Sequence, residues 1–144
     1  MPDIPEVDKS PAEVNEYKDR YLRALADYAN MKKRLEKEIL SAREAGKIEL
    51  IKELLPVVDT FSAAASTVSG EGMELAIIQL QDTFAKIGLK EINPIGQAFT
   101  HDSHECIGIQ PGDETQKGTV YKVGLPGYEF NGIVIRDPKV IVYG

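Results

Sequence analysis

At 144 residues the chain has room for one domain, or for one long element with a small domain attached. A formal net charge of −6, with 7% aromatic residues and no tryptophan, leaves no basic footprint of the kind phosphate neutralisation needs, so nucleic acid is not an expected ligand. The single cysteine, Cys106, excludes an internal disulfide and a Cys-based structural zinc site, and no apolar run reaches the ~18 residues of a membrane span.

The N-terminal segment MPDIPEVDKSPAEVNEY carries acids and prolines where a signal peptide would have an apolar core and a transit peptide would have arginines. A soluble, cytoplasmic protein in a reducing compartment is therefore the expectation. Residues 1–10 read as a disordered lead. Ser10-Pro11-Ala12-Glu13 then combines an N-cap, a proline at the first helical position and a capping-box acid, which predicts a helix start.

From Glu13 to Leu55 there is no proline and one glycine, Gly46, in a run dominated by Ala, Leu, Glu, Lys and Arg. The first breaker is Pro56, where the helix is expected to kink or end. A helix over residues 11–56 would be about 68 Å long at a rise of about 1.5 Å per residue, far more than the ~14–15 Å radius of gyration of a compact globule of this length allows. Its apolar residues nevertheless fall on one stripe: Val14, Tyr17, Tyr21, Leu25, Tyr28, Leu35, Ile39 and Ala42. A strict three-four alternation places Lys32 and Gly46 on that seam, so any supercoil is expected to be shallow. Burial of a Leu or Ile contributes about 1.5 to 3 kcal/mol, and a second copy of the chain is the matching surface, which predicts a helical homodimer through Tyr21, Leu25, Tyr28, Leu35 and Ile39. The competing reading, an exposed single helix, would not require large apolar residues on one face.

Residues 57–88 are expected to form two short helices broken at Ser69-Gly70-Glu71-Gly72. The second, Met73 to Ile87, has Leu75, Ile78, Leu80, Phe84 and Ile87 on its apolar side and Gly88 as its stop. Such a pair buries too little alone, so pairing with the same helices of a second chain into a four-helix bundle, with Leu75 and Ile78 at the interface, is the expected arrangement.

Beyond Gly88 the apolar period changes from 3.6 to 2, and residues 89–144 predict a small antiparallel β-domain with strands at 89–92, 105–109, 119–123, 129–130, 133–135 and 140–143. Asn131-Gly132 between two apolar runs predicts a type I′ hairpin. The expected class is thus α+β: a long paired helix, a dimeric four-helix bundle and an all-β domain.

The one cluster with catalytic or ligating side chains is His101, Asp102, His104, Glu105 and Cys106. The histidines are three apart rather than i and i+4 on a helix, and no orienting residue or oxyanion cradle accompanies a Cys–His pair. A turn with a structural histidine is the favoured reading, with no metal and no cofactor. The absence of a phosphate-binding glycine loop predicts that the chain does not itself bind nucleotide. An enzyme is not expected.

Several strings, in order, resemble the GrpE family, nucleotide exchange factors of DnaK-type heat-shock chaperones. They are Tyr21-Leu22-Arg23-Ala24-Leu25-Ala26-Asp27-Tyr28-Ala29-Asn30 with the basic Lys32-Lys33-Arg34; Glu53-Leu54-Leu55-Pro56-Val57-Val58-Asp59; Gly72-Met73-Glu74-Leu75; the segment from Phe99 to His104-Glu105; and Gly127-Tyr128 through Asn131-Gly132 to Ile135-Arg136 with Val140 and Val142. The chain departs from that pattern at Thr100-His101, Cys106, Ile133 and Pro138. The resemblance implies a homodimeric co-chaperone that binds the chaperone's ATPase domain and opens its cleft to release ADP, in protein folding and the heat-shock response. By motif match it implies partner contacts at Phe99, Ile107, Tyr128, Asn131, Gly132, Arg136 and Val142, with Lys32 and Arg34 as helix-borne contacts. A coiled-coil holdase or scaffold for unfolded chains is the alternative.

Overall fold

The computed structural model describes residues 8–144, so most of the expected N-terminal lead lies outside the described residues. Helix α1 spans Pro11–Thr67, α2 Glu71–Ile87, and six strands follow: β1 (Leu89–Ile92), β2 (Glu105–Gln110), β3 (Val120–Leu125), β4 (Gly127–Phe130), β5 (Ile133–Arg136) and β6 (Lys139–Tyr143). The architecture is α+β, and no described helix is long and apolar enough to cross a membrane.

Helix α1 begins at the capping box. The Ser10 backbone N–H donates to Glu13 Oε2 at 3.1 Å, and the Glu13 N–H donates to Ser10 Oγ at 3.4 Å. Together they satisfy two of the donors a helix start leaves open. Of the kink or end expected at Pro56, the end does not occur, since α1 passes through the proline and runs to Thr67. Pro56 is exposed, so the carbonyl it leaves without a donor, that of Lys52, lies on a solvent-facing stretch, and the Thr60 hydroxyl donates to the Pro56 carbonyl at 2.9 Å. The two short helices expected over 57–88 are accordingly the last turns of α1 and a separate α2. Gly88 ends α2 in the left-handed conformation, φ 86°, with its N–H on the Ala85 and Phe84 carbonyls.

The described chain divides into two compact units, residues up to 46 and residues 47–144. In the first, every described residue is exposed, including Tyr21 at 66%, Leu25 at 50% and Tyr28 at 60%.

In the second unit the strands form two three-stranded sheets, in the orders β1-β4-β5 and β2-β6-β3. The first is antiparallel throughout, with Leu89 opposite Phe130 and Phe130 opposite Ile133. The second departs from the expected all-antiparallel pattern: β2 runs parallel to β6, with Cys106 opposite Val140 and Gln110 opposite Tyr143. Adjacent runs in the sequence cannot reveal this pairing, because β2 and β6 are separated by the whole β3–β4–β5 segment. Pro126 alone joins β3 of one sheet to β4 of the other. At that crossing a Cβ on Gly127 would lie 2.6 Å from Pro138 Cδ and 2.7 Å from the Arg136 carbonyl oxygen, so only glycine fits against the buried Pro138.

Two cores result. Ile51 and Leu55 of α1 meet Leu89, Tyr128 and Phe130 of the first sheet, with Ile48, Phe84 and Ile135 at the margin. Val120, Val140 and Val142 form the other, with Phe99 and Val123 packed on it.

Candidate functional site: the hairpin sheet and its clamp on the helix

The β4–β5 hairpin turns at Asn131 (φ 48°) and Gly132 (φ 84°), the two left-handed residues a type I′ turn requires. Both are exposed, and the Asn131 N–H donates to the Gly88 carbonyl at 3.4 Å, which seats the tip against the end of α2. Just beyond it Ile133 and Val134 are 48% and 53% exposed.

Of the expected contact residues, Tyr128 and Val142 are 3% and 8% exposed, each packed in one of the two cores. Tyr128 meets Phe84 edge to face, ring centres 5.9 Å apart. Burial pushes the Tyr128 hydroxyl up to about 12, with Glu91 and Asp59 adding to the rise and Arg136 opposing it. Phe99 is half-buried against the second core, where it touches the rings of His101 and His104. Ile107 on β2 is 52% exposed.

Arg136 is engaged within the chain. Its Nη1 donates to Asp59 Oδ2 at 2.6 Å and its Nη2 to Asp59 Oδ1 at 2.9 Å, while Nη2 and Nε also donate to the Pro126 carbonyl at 2.7 and 3.2 Å. The guanidinium lies 5.4 Å from the centre of the Tyr128 ring. The hydrogen bonds that Arg136 donates to Asp59 hold the Arg136 pKa above its ordinary value. Asp59 was not among the expected site residues. Its only sign in the sequence is its place at the end of the Leu-Leu-Pro-Val-Val-Asp string.

The structure therefore gathers Tyr128, Asn131, Gly132 and Arg136 on one hairpin, and Ile107 and Val142 on strands of the other sheet, with Phe99 packed on the core beneath it. Lys32 and Arg34 belong to the first unit, both exposed, with Arg34 Nε 3.5 Å from Glu38 Oε1. Between α1 and α2 an apolar groove is lined by Val57, Val58, Phe61, Ala76, Leu80 and Thr83. Leu75 and Ile78, expected on the apolar side of α2, are 66% and 53% exposed in the single chain. The His-Cys segment is a turn: the Thr100 N–H donates to His104 Nδ1 at 3.2 Å, and among the described residues no group of three or more His, Cys, Asp or Glu converges as a metal would require.

The GrpE family model matches residues 4–144. The chain belongs to the GrpE family. Protein GrpE of Vibrio cholerae serotype O1 (strain M66-2) is 39% identical over 142 residues, covering 92% of this chain and 71% of that protein. Protein GrpE of Vibrio vulnificus (strain YJ016) is 39% identical over 142 residues, with 92% and 72% covered, and Protein GrpE of Francisella philomiragia 37% over 134 residues, with 88% and 70% covered. Membership of the GrpE family makes the chain a co-chaperone of the DnaK system. In this GrpE-family chain the clamp joins two of the strings that carry the likeness, the one ending at Asp59 and the one ending at Arg136.

Proposed function

We propose that the chain is a homodimeric nucleotide exchange factor that acts in the cytoplasm without catalysing a reaction, binding the ATPase domain of a DnaK-type chaperone through its β-domain and holding the nucleotide cleft open so that ADP leaves. The observation that carries this reading is family membership over residues 4–144. The surface supports the details. Exposed Tyr21, Leu25, Tyr28, Leu35 and Ile39 make one face of α1 fit for pairing with a second copy, and exposed Leu75 and Ile78, with the groove beside Phe61, suit a bundle with the partner's helices. For the chaperone, Asn131, Gly132 and Ile107 offer exposed contacts, Lys32 and Arg34 offer exposed cations, and Tyr128, Val142, Phe99 and Arg136 shape the face from within.

The factor must bind the open cleft better than the closed one, because equal affinity for both shifts nothing. Turning a mostly closed cleft into a mostly open one takes about 5.5 kcal/mol of preference. Linkage then requires that returning nucleotide weakens the factor's own binding, so each dimer is released and serves again.

The test is release of fluorescent ADP from a DnaK-type ATPase domain. Adding the chain is expected to raise the release rate by a factor of 10 or more, roughly the scale of a typical coupling free energy. An unchanged rate, with unfolded chains bound instead, would favour the holdase alternative.

A further inference from the structure

We propose that Asp59 and Arg136 fix the orientation in which the β-sheets are carried on α1, and that Arg136 is a positioning residue for ADP release rather than a contact to the chaperone. The inference rests on the exchange reading above, and it assigns the two residues a role within it.

Ile51, Leu55 and Asp59 follow one another at intervals of four along α1 and so lie on one stripe. The first two supply the helix's part of the apolar core under the first sheet. Asp59 extends that contact with a charge. Apolar surfaces are non-directional and tolerate sliding and rotation, whereas a carboxylate gripped by both arms of a guanidinium fixes a plane and a direction. Arg136 adds a third point of attachment, because the same fork holds the carbonyl of Pro126, the single residue between β3 of the second sheet and β4 of the first. Helix, first sheet and the crossing into the second sheet thus converge on one side chain, with the Arg136 and Asp59 side chains only 22% and 16% exposed. With four of its N–H directions used inside the chain, Arg136 has little left to offer a partner. A rigid mount is what the exchange reading needs, since a β-domain free to swivel would fit the closed cleft as readily as the open one.

The test compares Asp59→Asn, Arg136→Gln, the double variant and the reversed pair D59R/R136D in full-length chain. Each single variant is expected to lower the saturating ADP-release rate by roughly 10-fold, the double variant to lower it no further than either single one, and the reversed pair to recover part of the loss. Orientation is read separately as the distance distribution between nitroxides at Lys52→Cys and Lys122→Cys in a Cys106→Ser background. Labelled chain is diluted with unlabelled chain so that one protomer per dimer reports. Asp59→Asn is expected to broaden that distribution while leaving the circular dichroism spectrum unchanged.

Loss of exchange on Arg136→Gln with none on Asp59→Asn would overturn the proposal and make Arg136 a direct contact. A distance distribution unaltered by both single variants would also overturn it. If the unaltered chain fails to stimulate ADP release, the exchange reading falls; a distribution that still broadens with Asp59→Asn would then uphold the mount itself.

Discussion

Tyr128, 3% exposed, packs edge to face on Phe84 with the Arg136 guanidinium 5.4 Å from its ring centre. Its hydroxyl is held up to about 12 chiefly by desolvation. For an acid whose folded pKa lies above its unfolded value of about 10, the neutral form favours the fold. That contribution is complete below pH ~10 and is lost as the pH rises through ~12. Tyr128→Phe has no such proton to lose. Relative to the parent it is therefore expected to gain on the order of 2 to 3 kcal/mol of stability between pH ~9.5 and ~12. Urea denaturation midpoints of the two chains, compared at neutral pH and near pH 11.5, provide the measurement. A constant difference across that range would show that Tyr128 ionises as freely in the folded chain as in the unfolded one.

At the scale of elements, the apolar face of α1 is the feature that most needs a partner. In a symmetric pair, Leu25→Lys removes two buried leucines at once and so forfeits about 3 to 6 kcal/mol, a factor of roughly 10² to 10⁴ in dimer dissociation. Sedimentation equilibrium at micromolar concentration is expected to show a dimer for the parent and a monomer for the variant; identical masses would mean that this stripe is not the pairing surface. Local chemistry made most elements legible beforehand: the capping box at Ser10, the left-handed stop at Gly88, the Asn131-Gly132 turn and strand positions within a residue or two of those observed. What was not legible depends on distance along the chain. The parallel β2–β6 pair, the packing of Tyr128 on Phe84 and the Asp59–Arg136 clamp each join segments whose adjacency no local pattern encodes. Pro56 is the opposite case, a strong local breaker that a long helix carries on its solvent side.

For the whole molecule, the design separates an exposed helical surface from a sheet unit with its own cores, and the function proposed for it needs both. Under the proposed function the helical stripe would pair two copies and the hairpin of the sheet unit would meet the chaperone, with the clamp as its mount. A chain of net charge −6 has no basic footprint to steer its association, so recognition is expected to rest on shape and apolar contact, with Lys32 and Arg34 as local exceptions. The central claim is that binding depends on the nucleotide state of the partner. Sedimentation velocity of the chain mixed with a DnaK-type ATPase domain tests it in one experiment. The account predicts a heavier complex when the ATPase domain is free of nucleotide, resolving into a free dimer and free ATPase domain when ATP is added. A complex that ATP leaves intact, or no complex under either condition, would contradict it.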